Sequence, residues 1–131
     1  MTFQLGAALA VFLAAGATPG STVVTTPANQ QVTVPLIEPI ALKAMMKGDT
    51  RFMLVDVRQP GEFTAGHIEG AMLLPLDTLA GSYSKLPKDV PLIVYCRSGH
   101  RSAQAVAFLL AHGYSRAVSL NGGYLAWTAQ S

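Results

Sequence analysis

The chain of 131 residues is poor in cysteine, in tryptophan and in charge. Its single cysteine, Cys96, excludes an internal disulfide. Charged residues make up only 12% of the chain, against about 25% in an ordinary globular protein. The deficit is uneven, because no charged side chain precedes Glu38. The net charge of +2 comes without any basic run, which argues against a nucleic-acid partner. Three scattered histidines and one cysteine lack zinc-ligand spacing, so no metal site is expected. The opening apolar stretch, Leu5 to Ala15, is shorter than the roughly 20 residues of a membrane span.

The uneven charge divides the chain. Residues 1–17 read as an export signal segment, with an apolar centre and the small residues "AGA" where a signal peptidase would cut, although "MTFQ" supplies no basic residue. On this reading the protein is periplasmic or secreted. The alternative is a protein tethered to a membrane by the uncleaved segment. Residues 18–36, rich in Thr, Pro and Gln, read as a linker with at most a short edge strand at 31–34. Residues 37–131 are long enough for one domain with its own core.

Within that domain, short apolar runs alternate with helical patterns. "RFMLVDV", "AMLLPL", "PLIVYC" and "RAVSL" read as buried strands, and "EPIALKAMMKGD", "SAQAVAFLLAHGY" and "GGYLAWTAQ" as helices. "QPGEFTAGH" suits a helical turn, and "DTLAGSYSKL" a short weak helix capped by Asp77. In the clearest helix Ala103, Val106, Ala107, Leu110 and Ala111 share one face. Continuous apolar strands separated by helices indicate an α/β protein with a parallel sheet covered on both faces. Ligands of such sheets gather at the carboxyl ends of the strands. Met45, Met46, Met53, Met72 and Trp127 read as packing residues, and Gly122 and Gly123 as turn glycines.

Cys96 falls at one of those strand ends, in "YCRSGHRS", directly before a helix expected to begin near Arg101 or Ser102. A helix start aims free amides and the positive end of its dipole at the loop before it. Gly99 lets that loop curl, so that the amides of Arg97, Ser98, Gly99, His100, Arg101 and Ser102 can face one centre. Arg97 and Arg101 add positive charge and suit an anionic substrate. His100 adds charge when protonated, and Ser102 is a candidate helix cap. A cysteine in this field is expected to ionise readily and to act as a nucleophile. Two reactions use such a loop: phosphoryl transfer through a cysteinyl phosphate, and sulfur transfer through a persulfide. Cysteine phosphatases place five residues between Cys and Arg, whereas only Arg97, Ser98, Gly99 and His100 intervene here. The smaller ring suits a single sulfur atom. No Asp in the loop offers a general acid for an alcohol leaving group.

Four separated motifs, "LVDVRQPGEF", "AGHIEGAMLLPL", "VYCRSGHRS" and "LNGGYLAW", appear in order. Through them residues 37–131 resemble the single-domain rhodanese (thiosulfate sulfurtransferase-like) family. The resemblance implies a five-stranded parallel sheet with helices on both faces. It aligns Cys96 with the persulfide-carrying cysteine. It implies transfer of a sulfane sulfur from a small anionic donor such as thiosulfate to a thiophilic acceptor, cyanide or a thiol, without a cofactor. A protein thiol is a further candidate acceptor. Asp56 and Arg58 are expected to support the site structurally, with Glu62 as a partner of Arg58, and His67 to be bonded within the fold. The alternatives are a persulfide carrier serving a protein partner, and a cysteine phosphatase or arsenate reductase on the same fold.

Overall fold

The computed structural model of the chain describes residues 20–130. The expected export segment therefore lies outside the described residues. Strand β1 (Ser21–Thr25) is followed by β2 (Gln31–Ile37), helix α1 (Pro39–Lys47), β3 (Met53–Asp56), α2 (Pro60–Ala65) and β4 (Met72–Leu73). Helix α3 (Leu79–Ser82) follows, flanked by 3-10 turns at Leu76–Thr78 and Tyr83–Lys85, and then β5 (Leu92–Tyr95), α4 (His100–Ala111), β6 (Ala117–Leu120) and α5 (Gly123–Ala129). The strands form one six-stranded sheet in the order β1-β2-β6-β5-β3-β4. All neighbours are parallel except β1 and β2.

Side chains alternate across this sheet, as the two-residue repeat of a strand demands. Val55, Leu92, Val94, Cys96 and Ala117 face one way and pack with the buried side of α4. Leu54, Ile93, Tyr95 and Leu120 face the other way and pack with Leu42 of α1, Ile68, and the half-buried Tyr124 and Trp127 of α5. Both faces are thus covered, and β5, at the centre, is buried at every position. This explains why "PLIVYC" is continuously apolar rather than alternating. No helix among the described residues is long and apolar enough to cross a membrane.

Three details differ from the sequence reading. The sheet has six strands rather than five, because most of the stretch read as a linker is a β-hairpin. Its loop is a turn from Thr26 to Asn29, closed by the Asn29 N–H on the Thr26 carbonyl, with Pro27 in the second position and Asn29 at φ 65°. Proline pre-sets such a turn, and asparagine tolerates the left-handed conformation. The β-branched runs "STVVT" and "QVTV" on either side form the strands, a signal outweighed in the sequence by the Thr- and Pro-rich composition. Second, the inner face of α4 is Ser102, Ala103, Ala105, Val106, Ala107 and Leu109, while Ala111 is exposed. The helix is gripped by the sheet on one side and by the α3 region on another, so its buried arc is wider than a single stripe. Third, Met46 is exposed, and Asp77 lies inside the first 3-10 turn and caps no helix.

Leu109 has no exposed surface and sits in the cluster beneath α4. Leu109→Ala should cost about 2–5 kcal/mol of unfolding free energy, read from denaturant titration. A cost under about 1 kcal/mol would mean that α4 does not anchor this core.

Candidate active site

The site forms where the parallel strands end. Strand β5 delivers Cys96 to the carboxyl edge of the sheet, and α4 starts four residues later at His100. The N-cap of α4 is Gly99, held left-handed at φ 112°, with no side-chain cap. That conformation turns the chain back over the sulfur at little steric cost only in glycine. The Gly99 N–H donates to Cys96 Sγ at 3.1 Å, and the Ser102 N–H donates to it at 3.3 Å. With the Ser98 amide, which also acts on the thiol, these form a narrower set than the whole ring read from the sequence. Cys96 itself is only 1% exposed.

Ser102 is not the helix cap. It occupies the first turn of α4 with its hydroxyl pointing inward, 3.5 Å from Cys96 Sγ, 3.3 Å from the Gly99 carbonyl oxygen and 2.8 Å from Ser119 Oγ. Both serines are fully buried. Among the described residues, Ser102 is the only hydrogen-bond partner of the Ser119 hydroxyl. A buried hydroxyl without an acceptor is costly, so Ser119 donates to Ser102. The Ser102 proton then lies between the Gly99 carbonyl, to which it donates at 3.3 Å, and the sulfur, which it can serve once the thiol has lost its own proton. Ser119 has no motif around it in the sequence, where "AVSL" reads only as a strand.

Opposing effects act on the thiol. Burial pushes Cys96 up. The Ser102 hydroxyl and the amides of Ser102, Gly99 and Ser98 pull it down, and together they win, leaving it below the ordinary cysteine value.

The two arginines of the loop play different parts. Arg101 makes a bidentate ion pair with Glu62 of α2, at 2.8 and 3.0 Å. This corrects the expected Arg58–Glu62 pairing. It also means that a carboxylate already balances the Arg101 charge. The Arg101 hydrogen bond, chief among the causes, pushes Glu62 down to about 2, so the pair persists across any ordinary working pH. Arg97 is exposed, and its guanidinium has no hydrogen-bond or ion-pair partner among the described residues. Ser98 and His100 are exposed beside it.

Asp56 and Arg58 lie under the rim rather than in the loop. Their side chains, 0% and 4% exposed, pair through Arg58 Nε at 2.9 Å and a terminal guanidinium nitrogen at 2.7 Å. The same terminal nitrogen donates to the Gly66 carbonyl at 2.7 Å. The guanidinium carbon lies 4.6 Å from the Tyr124 ring centre and 5.5 Å from that of Tyr95. Tyr95 in turn accepts the Ile68 N–H at 3.0 Å. The loop between α2 and β4 is thereby fastened to the strand that carries Cys96. His67 in that loop bonds the Phe63 carbonyl at 2.9 Å and stacks on the Phe63 ring, as expected of a residue serving the fold.

A second helix start fixes the base of the loop. The Tyr124 N–H donates to the Cys96 carbonyl at 2.8 Å and the Leu125 N–H to the Arg97 carbonyl at 3.0 Å. This close approach needs Gly123, at φ 61°, where a Cβ would lie 2.5–2.6 Å from backbone atoms of Cys96 and Arg97.

The site is thus a buried, hydrogen-bonded cysteine at the carboxyl edge of a mostly parallel α/β sheet. The Rhodanese-like domain family model matches residues 38–130, and the chain belongs to that family. It is 45% identical over 75 residues to a sulfurtransferase of Allochromatium vinosum, an alignment covering 57% of this chain and 70% of that protein. It is 40% identical to the thiosulfate sulfurtransferase GlpE of Stutzerimonas stutzeri, covering 57% of this chain and 69% of the relative. The crystal structure of a rhodanese-like domain protein from Staphylococcus aureus superposes with a TM-score of 0.67 at 34% identity, covering 70% of this chain and 89% of that one.

Two substitutions test this construction. Gly123→Ala should destabilise the protein more than Gly70→Ala, because both glycines have positive φ but a Cβ at Gly70 meets nothing within 4 Å. Gly70→Ala should cost about 1–2 kcal/mol, and an equal cost at Gly123 would show that the backbone contact with the loop is unimportant. Ser119→Ala should raise the Cys96 pKa and slow alkylation at pH 7 by roughly 2- to 10-fold, the effect of one lost hydrogen bond. An unchanged or lower thiol pKa would disprove the Ser119-to-Ser102 direction.

Proposed function

We propose that the protein is a sulfurtransferase that moves a sulfane sulfur from an anionic donor such as thiosulfate to a thiophilic acceptor, with Cys96 as the carrier. The observation that carries this reading is the pair of amides, Gly99 and Ser102, on the sulfur of the one cysteine. In the first step the Cys96 thiolate attacks the sulfane sulfur of the donor. The sulfur–sulfur bond of thiosulfate breaks, and its electron pair leaves with sulfite. Sulfite departs as an anion and needs no general acid. In the second step the acceptor attacks the outer sulfur of the persulfide, and the electron pair returns to Cys96. This is covalent catalysis by double displacement.

The surroundings fit these steps. Arg97, the unpaired cation of the loop, draws the anionic donor. Arg101, neutralised by Glu62, holds the far end of the loop against α2. The loop backbone at Ser98, Gly99 and His100 and the Ser102 hydroxyl receive the charge that passes through sulfur. Asp56 and Arg58 support the rim. A phosphatase reading has less support, because a dianionic phosphoryl group calls for an uncompensated bidentate arginine, and Arg101 is already matched to a carboxylate.

Intact-mass measurement tests the carrier step. After thiosulfate treatment the protein should gain the mass of one sulfur atom, Cys96→Ser should gain none, and cyanide should remove it with release of thiocyanate. A wild-type protein that gains no mass, or a Cys96→Ser variant that does, would overturn the reading.

A further inference from the structure

The two edges of the sheet differ. On one side it ends in β4, only two residues long, and so short an edge offers little to another strand. On the other side it ends in β1, five residues long. Folded proteins protect such an edge with charge, a proline, a bulge or a covering segment. β1 carries no charged residue and no proline. Its register with β2 runs unbroken from Ser21 opposite Pro35 to Thr25 opposite Gln31, so it has no bulge. No strand among the described residues pairs with its outer side.

The hydrogen bonds of the hairpin show which groups are left over. The Leu36 N–H bonds the Gly20 carbonyl at 3.1 Å, and the Thr26 N–H bonds the Gln30 carbonyl at 2.8 Å. Bonded pairs in an antiparallel ladder come at every second residue. They therefore fall on Thr22 with Val34 and on Val24 with Val32. Pro35, which has no N–H to give, sits at an unbonded position opposite Ser21. The N–H and C=O groups of Ser21, Val23 and Thr25 thus point away from β2, into the open edge.

The side chains divide in the same way. Val24 packs against the core beneath α4, and on that side β1 walls a hollow opposite Ser98, Gly99 and His100. Ser21, Val23 and Thr25 face the other side of the sheet. All three are exposed, as are Gln31 and Thr33 of β2, so that face of the hairpin is bare. Val23, at the middle of the strand, is 57% exposed.

We propose that β1 is a self-association edge: a second copy of this chain lays its own β1 antiparallel against it, and the two sheets become one. The strand is complementary to itself about Val23. With Val23 opposite Val23 of the second copy, Ser21 falls opposite Thr25 and Thr25 opposite Ser21. These are the residues whose main-chain groups point outward, so each pair exchanges two hydrogen bonds. The same register sets Thr22 beside Val24 on the α4 side, and cross-strand pairs of β-branched residues favour a sheet. No like charges meet, because no charged residue precedes Glu38. Every outward group of one strand finds its counterpart in the other, so this chain alone satisfies the edge, and the two-fold contact closes at the dimer. The axis stands perpendicular to the sheet. The carboxyl edges of the two copies then point in opposite directions, and both Cys96 loops stay open. The dimer therefore stands independently of the chemistry at Cys96. Its contact is small, at the weak end of specific interfaces, so monomer and dimer should exchange with concentration. The hairpin precedes the segment matched by the family model, residues 38–130, so this edge belongs to the chain's own addition to the fold.

Sedimentation of the full chain across a wide range of concentration tests the proposal. The wild type should pass from monomer to dimer and no further. Val23→Pro removes an N–H that the hairpin does not use, and Val23→Lys sets like charges across the axis. Each should weaken the dimer about tenfold or more, while Cys96 is alkylated at the wild-type rate, which reports an intact fold. Cross-linking in a Cys96→Ser background reads the register. Val23→Cys places two thiols on the axis at a Cα separation of about 5.5 Å, within disulfide range, and should link the copies on mild oxidation. Thr33→Cys, exposed on the same face but one strand further from the axis, should not. A wild type that stays monomeric would overturn the proposal. Protection of the Val23 amide from hydrogen exchange that is independent of concentration would place residues 1–19 of the same chain on the edge, and would overturn it too. So would a dimer that both Val23 variants leave intact, growth beyond the dimer, or equal cross-linking at positions 23 and 33.

Discussion

The convergence of peptide N–H groups on Cys96 Sγ is the constraint around which the carboxyl edge of the sheet is organised. A sulfur only 1% exposed loses most of its hydration, and burial alone would keep it protonated. Peptide dipoles and the Ser102 hydroxyl oppose that penalty and leave the thiol below its ordinary value, because they are already aimed when the proton leaves. Their value depends on the backbone staying where it is. Gly99 sets the return of the chain, and the amides of Tyr124 and Leu125 hold the carbonyls of Cys96 and Arg97 from below. The loop is thus gripped at its base by one helix start while another helix start points at its sulfur.

Charge is kept at arm's length from this arrangement. The buried pair Asp56–Arg58 costs solvation on both partners, and such pairs bring little net stability. What this pair does is geometric: it ties the Gly66 carbonyl and two tyrosine rings to the end of β3. The partly exposed pair Glu62–Arg101 removes one cation from the loop and binds α2 to the start of α4. The field at the sulfur therefore comes chiefly from amides and a hydroxyl, and Arg97 is left exposed with no ion-pair partner among the described residues.

Much of this was legible in residue order. Cys96 after an apolar run, Gly99 three residues on, and a long amphipathic helix behind them located the strand-end cysteine and its loop without any coordinates. The pairing of Glu62 was not legible. Arg58 stands four residues away from it and invites a local pair, whereas the real partner, Arg101, is separated by 39 positions. Ser119 was silent for a similar reason, since a serine in a short strand carries no pattern. The hairpin was obscured by composition: Pro27, which suggests a linker, is here a turn residue, and Thr22, Thr25 and Thr33 are β-branched strand residues.

The amino-acid order by itself determined the alternation of strands and helices, the placing of the lone thiol at a strand end, and the glycine that turns the loop over it. These are local properties, governed by side-chain periodicity and by φ/ψ limits within a few residues. Only the tertiary structure decided which carboxylate meets which arginine, which hydroxyl lies behind Ser102, and that β1 stands as a wall beside the catalytic loop. Those contacts join residues far apart in the chain, and their partners are chosen by the packing of whole elements around the sheet rather than by any neighbour in sequence.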